Sequence, residues 1–143
     1  TTPPPHIMSQ KITAQNGPTI TLEEAVAGAL RGKEDLLVSL DAHGKAVLFD
    51  GTAPAIGVYV SRLDPESTAL EIRLLNAGGT VRVIQGVAIA PGSRVAGVAA
   101  SARVAVASAP GRSLGFKLAP DSAGAAGDVI EIIPSVETLE TPE

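Results

Sequence analysis

The chain has 143 residues, 45% of them hydrophobic and 18% charged, with a formal net charge of −4. That length suits one domain or two small fused lobes, and the composition excludes wholesale disorder. The absence of cysteine rules out a disulfide framework, and the acidic balance argues against a nucleic-acid binder, which would show a basic face.

Pro3, Pro4 and Pro5 favour an extended, polyproline-like start. The opening residues TTPPPHIM have neither the basic n-region nor the apolar h-region of a signal peptide, so none is expected. Residues 7–14 (IMSQKITA) have strand character, and Asn16-Gly17-Pro18 punctuates after them. Residues 19–22 (TITL) are β-branched and strand-like. One short helix is expected over residues 23–30 (EEAVAGAL), with Thr21 as N-cap, Glu23 and Glu24 in its first turn and Gly32 as its stop.

From Asp35 onward the sequence alternates short apolar runs with turn residues. Strands are expected at residues 36–40, 46–49, 56–60, 69–75, 80–84, 87–90, 94–98, 103–107, 113–118 and 129–133. Asp41-Ala42-His43-Gly44 and Asp50-Gly51 supply the turn chemistry between early members of the series. The Ala/Val-rich tract at 95–109 is interrupted by Gly97, Ser101, Arg103 and Ser108, and no run approaches the ~18 apolar residues that span a bilayer. A soluble protein without membrane contact is therefore expected.

An internal repeat is visible in this series. Lys45-Ala46-Val47 and Ile56-Gly57-Val58 recur 58 residues later as Arg103-Val104-Ala105 and Leu114-Gly115-Phe116. Leu70-Glu71-Ile72 recurs 60 residues later as Ile130-Glu131-Ile132. Four features in one order, with Ala53-Pro54 answered by Ala109-Pro110, point to a duplication. The expected architecture is all-β: a jelly-roll-like β-sandwich or barrel of about ten short strands, duplicated, with one short helix and extended termini. Residues 1–17 form an extended arm, or part of them an edge strand. Residues 18–133 form one β-domain with similar halves at 35–75 and 93–133, and 134–143 form a tail. The expected core is Leu37, Val47, Ile56, Val58, Ile72, Val83, Val104, Leu114, Phe116, Ile130 and Ile132. It is built from Val, Ile, Leu and 23 alanines, with Phe49, Tyr59 and Phe116 the only aromatic residues. Little aromatic bulk is left to line a large ligand pocket.

Tests for catalytic chemistry return no constellation. His6 and His43 are isolated, with no HxH or HxxxH spacing, so no metal site is expected. Gly111-Arg112-Ser113-Leu114-Gly115 fits GxSxG, but a strand follows where a nucleophile elbow needs a helix, and no histidine lies beyond Ser113. Gly32-Lys33 and Gly44-Lys45 lack the remainder of a phosphate loop. Glu23-Glu24 and Asp64-x-Glu66 are neighbouring acids at a helix start and in a turn, where solvation or capping accounts for them. No enzyme, catalytic residue, cofactor or metal is expected.

The run Ala53-Pro54-Ala55-Ile56-Gly57-Val58 and the strand Thr80-Val81-Arg82-Val83-Ile84 with Gly86 carry a family likeness. So do Ala90-Pro91-Gly92-Ser93-Arg94-Val95 and Ala126-Gly127-Asp128-Val129-Ile130-Glu131-Ile132. Together they resemble the capsid decoration, or cement, proteins of tailed bacteriophages, over roughly residues 9–133. The resemblance implies a non-enzymatic virion protein on the outer capsid surface, made in the bacterial host cytoplasm. Its partners would be the major capsid protein and its own copies, as dimer or trimer, with no nucleic acid and no membrane. On this reading the ends reach along neighbouring subunits, with Ile7, Met8, Ile12, Val136 and Leu139 as apolar contacts. Two alternatives stand beside it. One is a carbohydrate- or cell-surface-binding β-module such as a head-fibre or tail component, which the scarcity of Tyr and Trp disfavours. The other is a hydrolase using scattered carboxylates.

Overall fold

Short β-branched runs separated by Gly, Pro, Asp and Asn leave the backbone few choices other than pairing as strands, and ten form among the described residues. A computed structural model describes residues 18–140. Its first five strands are β1 (Thr19–Glu23), β2 (Leu37–Leu40), β3 (Ala46–Leu48), β4 (Gly57–Arg62) and β5 (Ala69–Leu74). The second five are β6 (Val81–Ile84), β7 (Arg94–Gly97), β8 (Val104–Val106), β9 (Gly111–Ala119) and β10 (Val129–Leu139). They build two five-stranded antiparallel sheets, ordered β1-β5-β4-β2-β3 and β6-β10-β9-β7-β8. The fold is all-β, and no helix occurs among the described residues. Each sheet is made of five consecutive strands, whereas a jelly roll interleaves its strands between sheets.

The second sheet repeats the first pair by pair. Val38 lies opposite Leu48 and Gly57, as Val95 lies opposite Val106 and Gly115. Gly57 faces Leu74 as Gly115 faces Pro134, and Leu22 faces Leu70 as Val83 faces Ile130. Each sheet also curls so that its outermost strands meet, through the parallel bridges Glu24–Ala46 and Gln85–Val104. Both bridges carry the same backbone bond, Ala25 N–H to the Ala46 carbonyl (3.0 Å) and Gly86 N–H to the Val104 carbonyl (2.7 Å). The repeating unit thus includes β1 and β6, which lie outside the stretches 35–75 and 93–133.

Close approach explains the paired glycines. A Cβ on Gly57 would stand 2.6 Å from the Arg73 carbonyl oxygen, and one on Gly115 would run into the equivalent carbonyl of Ile133. One core cluster lies between the sheets and joins Leu37, Val58 and Leu75 to Val81, Val83, Val104, Leu114, Ile130 and Ile132. A second belongs to the first half alone and contains Leu30, Val38, Tyr59, Leu70 and Ile72. The halves are further tied by Leu37 N–H to the Ala102 carbonyl (3.0 Å) and by Arg82 Nε to Asp35 Oδ1 (3.1 Å). Arg73, buried in β5, donates to the carbonyls of Leu74 and Gly78 and so fixes the segment that links the halves.

Several local expectations are corrected. The helix over residues 23–30 is absent: Glu23 ends β1, and a series of tight turns follows, closed by Ala29 N–H to Val26, Arg31 N–H to Gly28 and Lys33 N–H to Leu30. Gly28 at φ +82 breaks helical continuity, and the Glu24 carboxylate takes the Gly28 and Leu30 N–H groups, 2.7 and 2.8 Å away. Residues 87–90 are irregular and not strand, and buried Ile89 among them bonds through its N–H to the Ala123 carbonyl. Of the tail expected at 134–143, residues 134–139 are strand, because β10 runs to Leu139 against β9. Val47, Ile56 and Phe116 are half-buried and not core. The strand expected at 7–14 lies outside the described residues.

Candidate functional site

Of the five proposed contact residues, Val136 and Leu139 are described; Ile7, Met8 and Ile12 lie outside the described residues. Leu139, half-buried, closes β10 opposite Gly111. The strand beyond Pro134 is held by Arg94, whose Nη2 lies 2.6 Å from Glu137 Oε1. The same guanidinium sits 4.4 Å above the Phe116 ring, and its Nη1 donates to Ser113 Oγ at 3.3 Å. Arg94 therefore ties β7, β9 and the end of β10 together, and fixes where Val136 emerges.

Val136, 39% exposed, stands at the rim of an apolar groove of about 520 Å³. Ile20 and Leu22 of β1, Leu40 of β2, Ile56 and Leu74 line it with Val136. Register explains the grouping. Ile20 and Leu22 are opposite Ile72 and Leu70, so they share the core-facing side of the first sheet, but they sit on its edge strand and remain open to solvent. Sequence reading placed Ile56 in the core and did not single out Ile20, Leu22 or Leu40. The alternation Ile20-Thr21-Leu22 carried a signal for an apolar face, but not the fact that β1 would lie at an edge.

Two buried polar centres occupy matched positions after β1 and β6. Glu24 is buried and paired with Arg62, Oε1 to Nη1 at 2.7 Å and Oε2 to Nη2 at 2.9 Å. Its hydrogen bonds to Arg62, Leu30 and Gly28 hold its carboxyl at about 2, well below the usual carboxylate value, while the carboxylate in turn pushes Arg62 upward. Gln85, the counterpart of Glu24, accepts from Lys117 Nζ at 3.2 Å and donates from its amide nitrogen to the Ala123 and Ala125 carbonyls, both at 2.9 Å. The buried Lys117 ammonium also donates to the Ile89 and Ser122 carbonyls, both at 2.7 Å. Burial pulls its pKa below the ordinary lysine value. Each centre stitches a long connection to its sheet: residues 24–36 in the first half and 120–128 in the second. Both are saturated internally, so neither offers a vacant ligand for an incoming group.

Ser113 lies buried within β9, not at an elbow, and His43 is exposed in the β2–β3 turn. Among the described residues no three His, Cys, Asp or Glu side chains converge to hold a metal ion. A cleft of about 570 Å³ between the halves is lined by Phe49, Gly51–Ala55 and small residues of β7 and β8. The one charged side chain lining it among the described residues, Arg112, is engaged with the Ala55 carbonyl at 2.7 Å. Neither a family model, nor a curated protein sequence, nor a solved structure matches this chain.

Proposed function

We propose that this protein is a non-enzymatic capsid decoration protein, which binds the outside of a phage head across capsomer seams and stabilises it. The observation that carries the reading is where β1 begins and β10 finishes. Ile20, at the start of β1, and Val136, near the end of β10, line the same groove, so the first and last strands come together there. A shell protein that bridges neighbours needs this: a stiff body on one side and reaching segments with an apolar footing on the other. Individually weak contacts then gain through effective concentration when one copy engages two or more capsid subunits. Ile7, Met8, Val136 and Leu139 supply the apolar contacts to the major capsid protein or to another copy of the chain.

The test is to mix the protein with empty, expanded heads and pellet them. Co-sedimentation is expected, and its absence at saturating protein overturns the reading. Deleting residues 1–10 separates function from folding. The thermal unfolding midpoint of the free protein is expected to stay within about 1 °C, because Pro3, Pro4, Pro5 and the polar residues among 1–10 bring little apolar surface to bury, whereas the amount bound to heads falls at least tenfold. Unchanged binding would assign residues 1–10 no role in attachment.

A further inference from the structure

The duplication provides an internal control for the groove. By register, Ile20, Leu22 and Ile56 correspond to Val81, Val83 and Leu114. Val81 and Val83 are 0% exposed and Leu114 is 2% exposed, whereas Ile20 is 38% exposed and Leu22 and Ile56 are half-buried. The first half covers the second set. Leu37 Cδ1 and Phe49 Cε2 each press to 2.9 Å from where a Cβ on Gly97 would stand, and Gly97 corresponds to Leu40 at the groove. In the first half the matching place is the groove itself. The body of a second copy does not complete the series. The counterparts of the covering residues Leu37, Ala55 and Val58 are Arg94, Ser113 and Phe116, and Arg94 is already bound to Glu137.

We propose that residues 11–14 of the chain itself add a strand to the free edge of β1, with Ile12 and Ala14 filling the groove. Among the described residues β1 pairs only with β5, and its other edge carries no described partner before the bridge at Glu24. A five-residue connection at 15–19, containing Asn16-Gly17-Pro18, is within the usual hairpin lengths. It sets Ala14 opposite Ile20, Thr13 opposite Thr21, Ile12 opposite Leu22 and Lys11 opposite Glu23. Opposite residues of an antiparallel pair share a face, so Ile12 and Ala14 meet the apolar side chains and Thr13 turns outward. A slip of one residue would put Lys11 and Thr13 into the groove, so the apolar pattern selects this register. Charge agrees: residues 1–17 contain Lys11 and no acidic side chain, while the rest of the chain carries all 15 carboxylates.

The chain contains no cysteine, which makes cross-linking clean. The double variant Ile12→Cys/Leu22→Cys, treated with mild oxidant and followed by intact mass, is expected to close an intramolecular disulfide at least tenfold faster than Thr13→Cys/Leu22→Cys. Equal rates overturn the proposal. Cross-links found only between chains also overturn it, since they assign the groove to a neighbour's segment. A second readout does not depend on the cysteines. Ile12→Asp is expected to raise the fluorescence of the apolar-surface dye ANS severalfold while Thr13→Asp leaves it unchanged, and indistinguishable variants again overturn the proposal. No head particle enters either experiment, so failure here leaves the capsid reading standing.

Discussion

At the residue scale the molecule rests on a few buried polar groups whose partners cannot be removed singly. Glu24 has no exposed side-chain surface and Arg62 almost none, so Glu24→Ala leaves a desolvated guanidinium without its counter-ion. A loss of about 3–5 kcal/mol in unfolding free energy is expected from urea titration. The pH dependence has a definite sign. The folded carboxyl titrates at about 2 against an ordinary 4.5, so its contribution is fully present above 4.5 and is lost as pH falls from there towards 2. That shift corresponds to roughly 3 kcal/mol. Urea titrations at pH 7, 4 and 2.5 should show the gap between the native chain and Glu24→Gln closing as pH falls; a gap independent of pH would show that the ionised pair contributes nothing. Phe116 behaves differently from its sequence expectation. It is half-buried under Arg94, so Phe116→Ala should cost about 1–2 kcal/mol, combining partial loss of apolar burial with loss of the cation–π contact.

At the element scale the two halves solve the same backbone problems, sometimes with different residues. The only non-glycine residues with positive φ among those described, Asp35 (φ 67) and Ala102 (φ 60), stand where the other half has Gly92 and Gly44. Asp35 N–H bonds the Tyr59 carbonyl as Gly92 N–H bonds that of Lys117, which fixes the first equivalence. Where the sheet itself is too close for a side chain, both halves keep glycine. Gly57→Ala and Gly115→Ala should each cost about 3 kcal/mol, because the obstructing atoms are backbone. Gly44→Ala, which has open space and only an unfavourable φ, should cost about 1–2 kcal/mol. Comparable losses at all three sites would show that the tight strand contacts are relaxed in solution. Strand positions were largely legible in the sequence, because β-branched runs bounded by Gly and Asp report a local preference. The misses have tertiary causes. Residues 23–30 have helical composition, but Glu24 is drawn into the pair with Arg62 and takes the backbone N–H groups a helix would use differently. Residues 134–139 look like a polar tail, and they extend as strand because β9 begins early enough to pair with them and Arg94 holds Glu137. No local pattern announces either partner.

At the scale of the whole molecule, the groove was the least legible feature, because an exposed Ile20 and a buried Val81 occupy matching places in similar strands. Only the docking of one half on the other distinguishes them. Val81, Val83 and Leu114 are buried because Leu37, Val58 and Leu75 complete their cluster, so the second half depends on the first for its core. The first half keeps a cluster of its own around Leu70 and Ile72, yet Leu37 and Val58 lose their cover if the second half opens. Each half therefore exposes apolar area when the other unfolds, and the Arg82–Asp35 pair and the Leu37–Ala102 bond break with it. The halves should accordingly unfold in one cooperative step. Val83→Ala removes two methyl groups from the shared core and should cost about 2 kcal/mol. Native-state hydrogen exchange is the decisive measurement. The slowest amides of β4 in the first half and β9 in the second should lose protection by the same amount in this variant, although Val83 belongs to the second half alone. If β9 loses protection and β4 does not, the halves are independent folding units joined by a linker, and the buried cluster between them contributes little to either.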